Sequence, residues 1–178
     1  SGGQIHLRRA SVWMPTRDAP AERKVFENAV QVIRSGSERE RLEALIEWEA
    51  DGLALTRYLA LPLLWNESEK VRQATARQLA AGPDPTMAGA LLDAAKRAAE
   101  PDERAFLIDR AVSMLMHESW KYRRMVAGEF GRSRLADGRP HVERLAKEDP
   151  NLWVRWAAEW AVKRIDAANP VDDDEDMD

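Results

Sequence analysis

Two tryptophan- and arginine-rich phrases hold most of the binding chemistry in this chain of 178 residues. One is Trp120-Lys121-Tyr122-Arg123-Arg124; the other is Trp153-Val154-Arg155-Trp156, followed by Trp160. On a helix of 3.6 residues per turn, Trp153, Trp156 and Trp160 stand at i, i+3 and i+7 and share a stripe. Val154, Ala158, Ala161 and Ile165 form a neighbouring face suited to packing, while Arg155, Glu159 and Lys163 take the polar side. The stripe has two readings. It fills a groove against helices at 119–131 and 138–147, or it stands exposed as an interface ridge, because Trp and Arg dominate binding hot spots. Arg123 and Arg155 are 32 residues apart, so stacked repeats would set Lys121 over Trp153, Arg123 over Arg155 and Arg124 over Trp156. A mixed aromatic and basic stripe suits phosphates, acidic peptides or single-stranded bases. The candidate binding set is Trp120, Lys121, Arg123, Arg124, Trp153, Arg155, Trp156 and Trp160.

Catalytic templates are empty. The sequence has no Gly-rich phosphate loop, no Gly-x-Ser-x-Gly and no His-Glu-x-x-His. Without Cys there is no thiol nucleophile or disulfide, and His6, His117 and His141 lack ligand spacing, so neither metal nor cofactor is expected. Glu47 and Glu49 flank Trp48, but residues two apart on a helix face different sides, so they are not a paired-carboxylate site. Asn66-Glu67-Ser68 fits a glycosylation pattern that matters only in an exported chain. No apolar run approaches the roughly 20 residues of a membrane span, and no signal-peptide core precedes the fold. A cytoplasmic location is the expectation.

The elements that must position these residues are helices. Ala, Leu, Glu and Arg are abundant, and no stretch alternates apolar and polar for long. Spacing and punctuation predict helices near 21–34, 37–50, 53–65, 68–81, 85–99, 102–116, 119–131, 138–147 and 150–166. Ser68 with Glu67, and Asp149 with Pro150, read as N-terminal signals. Short links between the helices make neighbours antiparallel. An Arg recurs near the start of five of them, at 41, 72, 104, 123 and 155. The spacings of 31, 32 and 32 residues indicate a repeat, yet Arg104 to Arg123 is only 19. Either one helix of a pair is absent there, or 102–116 is a first helix paired with 119–131. Each repeated Arg either pairs with an acid and covers apolar surface with its stem, or takes part in recognition.

Helical hairpins of this period, with second helices such as NESEKVRQATARQLAAG (66–82) and DPNLWVRWAAEWAVKRI (149–165), resemble the HEAT-repeat family over about residues 21–166. That resemblance implies an all-α, right-handed α-α superhelix, a solenoid of about four HEAT-like hairpins with an extended concave surface. A weaker resemblance is to HEAT-like DNA glycosylases of alkylation repair, through the Trp-x-x-Arg spacing of Trp120 and Arg123. The Trp-Trp-Asp-x-x-Asp segment of those enzymes has no counterpart, and Trp156 stands where the second copy would need Arg.

Charge is unevenly placed. Residues 166–178 hold seven acids and no base, whereas 118–165 hold eleven bases against seven acids. Residues 1–20 read as a flexible N-terminal arm, and 167–178 as a disordered acidic tail that could also occupy the basic stripe at high effective concentration. Ser1-Gly2-Gly3 reads as a remnant of expression engineering, which would make Met14 a natural start. Arg8-Arg9-Ala10-Ser11-Val12 makes Ser11 a candidate phosphorylation site. The functional expectation is a non-catalytic scaffold module that binds a protein partner on its concave face near the C-terminal repeats. An acidic or mixed-charge segment fits that face. The alternatives are nucleic-acid binding, with glycosylase-type chemistry as its enzymatic form, and a structural cap or fragment of a longer solenoid.

Overall fold

The computed structural model describes residues 20–51, 58–82 and 84–170. The N-terminal arm with Ser11, the first part of the helix expected at 53–65 and the acids from Asp172 onward lie outside them. The described residues are helical and contain no strand. The helices are α1 (Pro20–Ser35), α2 (Glu38–Asp51), α3 (Glu69–Ala80), α4 (Met87–Arg97), α5 (Pro101–Ser113), α6 (Trp120–Ser133), α7 (Arg139–Glu148) and α8 (Leu152–Asp166). Short 3-10 turns occupy Leu61–Trp65, Met114–Met116 and Ala136–Gly138. No described helix is long and apolar enough to cross a membrane.

The chain divides into two compact units, residues 1–79 and 80–178. In the first, α1 packs on α2 around Ala29, Ala44, Leu45 and Trp48, and Leu59, Ala60, Leu63 and Val71 complete the cluster. Trp48 is buried while Glu47 and Glu49 are exposed, so the two acids do face apart. α2 opens with a reciprocal cap. The Glu40 carboxylate accepts from the Ser37 backbone N–H at 2.6 Å and its hydroxyl at 2.8 Å, and the Glu40 N–H donates to Ser37 Oγ at 3.3 Å.

In the second unit α6 is central. It packs on α4 and on α8, while α5 packs on α4 and α7 on α8. Leu91, Leu92, Leu107, Ile108, Val126, Phe130 and Val142 are buried among these helices. Val154, Ala158, Ala161 and Ile165 supply the α8 side, as their spacing predicted. Glycine sets the closest approaches. A Cβ on Gly131 would strike the Trp160 ring and lie 2.9 Å from Ala161 Cα, and one on Gly138 would lie 2.6 Å from the Phe130 ring. α6 and α8 run parallel. Arg123 meets Asp149 near their starts, Gly131 faces Ala161 in the last turn of α6, and Asn169 donates to the Arg134 carbonyl just past their ends.

The recurring Arg has a common position: it is the fourth residue of α2, α3, α5, α6 and α8. Its backbone N–H donates to the residue just before the helix in every case: Ser37, Ser68, Glu100, Ser119 and Asn151. Helical side chains tilt toward the N-terminus, and in three of the five the guanidinium bonds the entering loop, whereas Arg41 donates to the Ile33 carbonyl in α1 and Arg104 pairs with Asp137. Arg72 donates to the carbonyls of Asn66 and Glu67 at 2.8 and 2.9 Å, and Arg123 to those of His117 and Glu118 at 2.8 Å. Arg155 donates to the Asp149 carbonyl at 2.7 Å. A cation in a first helical turn opposes the helix dipole, and these bonds offset that. The 19-residue interval has a plain cause. α5 and α6 are consecutive helices joined by the 114–116 turn, and both carry the Arg, so no helix is missing.

Asp149 joins two of these starts. Its carboxylate accepts from Arg123 Nε at 2.7 Å and Nη2 at 3.0 Å, and from the Asn151 N–H at 2.8 Å. Burial pushes the carboxyl up, but the Arg123 and Asn151 hydrogen bonds and the charges of Arg123 and Arg155 outweigh it, leaving it below the usual range. The expected cap role belongs instead to Asn151, whose Oδ1 accepts from the Trp153 N–H at 2.9 Å.

Two predictions follow from this packing. Asp149→Asn should lower stability at neutral pH by about 3 kcal/mol, since it leaves a largely buried guanidinium without its countercharge. A depressed carboxyl stabilises the fold above its unfolded value of about 3.9 and stops doing so as pH falls through the folded value. The gap between wild type and variant, read from urea midpoints, should be constant above about pH 5 and shrink below about pH 4. Gly131→Ala should cost about 1–3 kcal/mol by overpacking, and thermal unfolding will show it; an unchanged midpoint would mean that α8 shifts freely.

Candidate functional site

α8 divides its residues sharply. Val154, Ala158, Ala161 and Ile165 are 0–1% exposed, whereas Trp153, Trp156 and Trp160 are 52, 51 and 43% exposed. The stripe lies outward as a ridge, with the Trp160 ring also resting on Gly131 of α6. Of the two readings open from the sequence, the exposed one describes the structure. Leu152, four residues before Trp156, adds a further side chain that is half exposed.

The ridge has internal order. Trp153 and Trp156 meet edge to face, with centroids 5.0 Å apart and planes at 84°, an arrangement that the aromatic quadrupole favours. Trp160 is held from beneath by Gly131, and the Arg164 guanidinium lies 5.6 Å from its ring centre, a cation–π distance. Spacing could have revealed Arg164, which stands four residues after Trp160 on the same helix. Gly131 was not legible, because its role depends on a contact across 29 residues.

On α6 the candidates part ways. Lys121 is exposed, with its ammonium 5.8 Å from the half-buried Trp120 ring, and Arg124 is exposed. Arg123 is 12% exposed and bound to Asp149 and two carbonyls; Asp149 holds it charged, chiefly through their hydrogen bonds. Arg155 is half-buried against the Asp149 carbonyl. The structure therefore brings Trp153, Trp156 and Trp160 together on α8 and leaves Lys121 and Arg124 outward on α6. Arg123 and Arg155 lie beneath, at the helix starts. The spatial register also differs from the sequence repeat. Gly131 faces Ala161, an offset of 30 rather than 32, which brings Arg124 level with the first turn of α8.

Two open grooves lie elsewhere on this unit. One, of about 490 Å³, runs along α5 to Asp137 and His141; the other, of about 530 Å³, lies between the 112–118 segment and α7. Each groove contains an ion pair, Arg104 with Asp137 in the first and Arg123 with Asp149 in the second. His117 is a structural group: it stacks on Tyr122 at 4.1 Å, and its Nδ1 accepts from the Ser119 N–H at 3.0 Å. Among the described residues, no three His, Cys, Asp or Glu side chains converge to hold a metal ion. The outward chemistry of the α8 ridge is aromatic, with Arg164 beside it. No protein-family model matches the chain, and no curated protein matches it.

Proposed function

We propose that the chain is a non-catalytic binding module, a right-handed solenoid of HEAT-like hairpins that captures a protein partner on the α6–α8 face. The observation that carries this reading is the exposure of Trp153, Trp156 and Trp160 on one face of a helix whose other face is sealed. Three indoles at about half exposure present roughly 350 Å² of aromatic surface, a size at which surface patches are commonly functional. That is under half of the roughly 800 Å² per partner in a standard interface, so the ridge is an anchor within a larger footprint. Lys163 and Arg164 are exposed on the same helix, and Lys121 and Arg124 are exposed on α6. α6 and α8 together hold seven bases against three acids. A partner segment with apolar anchors and acidic flanks matches both properties. The edge-to-face Trp153–Trp156 pair offers fewer open faces for stacking bases than parallel rings would, which favours protein over single-stranded nucleic acid.

The double variant Trp153→Ala/Trp156→Ala should keep its helical circular dichroism and its melting transition, since neither ring contributes to the core. Compared with wild type in quantitative pull-downs from the native host, it should lose its specific partner at least tenfold. Equal retention by both chains would refute the reading. A gel shift of single-stranded DNA or RNA that weakens steeply with salt would move the assignment to nucleic acid.

A further inference from the structure

Where the chain leaves α8 bears on what covers the ridge. Past Asp166 the backbone makes two further turns, with the Ala168 and Asn169 N–H groups donating to the Ile165 carbonyl. The Asn169 amide then donates to the Ile165 carbonyl at 2.8 Å and to the Arg134 carbonyl, at the end of α6, at 3.1 Å. The exit is thus tied to the junction of α6 and α8. Residues 171–178, VDDDEDMD, place six acids between and beside Val171 and Met177. Eight extended residues reach at most about 29 Å, while the fifteen residues of α8 span about 22 Å. Every Trp of the ridge is within reach. Lys163 and Arg164 are exposed at the near end of α8, and Arg124 is exposed on α6 toward its start, so cations are available at the ends of the path.

We propose that residues 171–178 fold back along α8 and occupy the Trp153–Trp160 ridge, so that the chain carries its own competitor for the partner. This rests on reading the α6–α8 face as a surface for acidic chain. Tethering gives even a weak contact a millimolar-range effective concentration, and the attraction is screened by salt. A second copy is a poorer occupant. Ridge against ridge would bury roughly 700 Å² in total, short of the 1,200 Å² at which stable interfaces begin.

The test uses the indole N–H signals of the ¹⁵N-labelled chain, beside a variant with a neutralised tail (Asp172→Asn, Asp173→Asn, Asp174→Asn, Glu175→Gln and Asp176→Asn). The Trp153, Trp156 and Trp160 signals should differ between the two at low salt, while that of Trp48, in the other unit, stays in place. Raising NaCl to about 1 M, where the Debye length is near 3 Å, should move the intact chain's ridge signals onto those of the variant. The peptide VDDDEDMD added to a chain ending at Pro170 should move them back. Coincident ridge signals in intact and neutralised chains would overturn the proposal. If the peptide still bound the shortened chain, the face would remain a surface for acidic chain and only the tail's occupancy would fall. If it did not bind, both readings would fall. Ridge signals of the intact chain that depended on protein concentration would assign the face to a second copy and likewise overturn the proposal.

Discussion

The pair between Arg123 and Asp149 is the constraint on which the second unit turns. It is bidentate, it is largely buried, and every atom that could be left unsatisfied has a partner. The Arg123 fork takes both Asp149 oxygens and two carbonyls of its own entering loop, and Asp149 also accepts from the Asn151 backbone. A buried ion pair is weak evidence for stability, because desolvation can cancel the attraction. It is much better evidence for geometry. Here it fixes where α6 and α8 begin relative to one another. With Gly131 against Ala161 and Asn169 against Arg134, that start holds the two helices parallel along their length.

Seen this way, the recurring Arg is a device for starting helices. A fourth-position Arg can bend back to its own entering loop whichever helix of a hairpin it belongs to, and its spacing therefore reports the distance between helix starts. From α3 to α5 and from α6 to α8 another helix intervenes, and the interval is two helices with their links; from α5 to α6 none intervenes, and the interval is one helix and its link. The apparent slip in phase near 100–120 is thus a change in which helices use the device.

The sequence was most legible where one face of one helix decides the matter. The order of the helices and the packing side of α8 could be read directly, because 3.6-residue periodicity and short Pro- and Ser-marked links are local properties. Asp149 was misjudged for a physical reason. Beside Pro150 it resembles a helix cap, and its true partner lies 26 residues away on a helix that only folding brings near. For the same reason Arg123 and Arg155 looked available for recognition, although their side chains are taken up at the helix starts. No rule of spacing states whether an indole stripe turns in or out; that depends on contacts between helices, such as the Trp160 ring over Gly131.

α8 keeps its core face and its aromatic ridge on separate sides. The α8 core face is built from Val, Ala, Ala and Ile, residues small enough for α6 to approach and sufficient to seal it. The three indoles lie outside that sealed face, and Trp160 also rests on Gly131 of α6. Large aromatic side chains left half in water carry an unfavourable exposure that smaller polar residues would avoid at no loss of packing. A fold that needed only its core would have no use for three of them in register on one stripe. Their placement agrees with the partner contact proposed for the α6–α8 face.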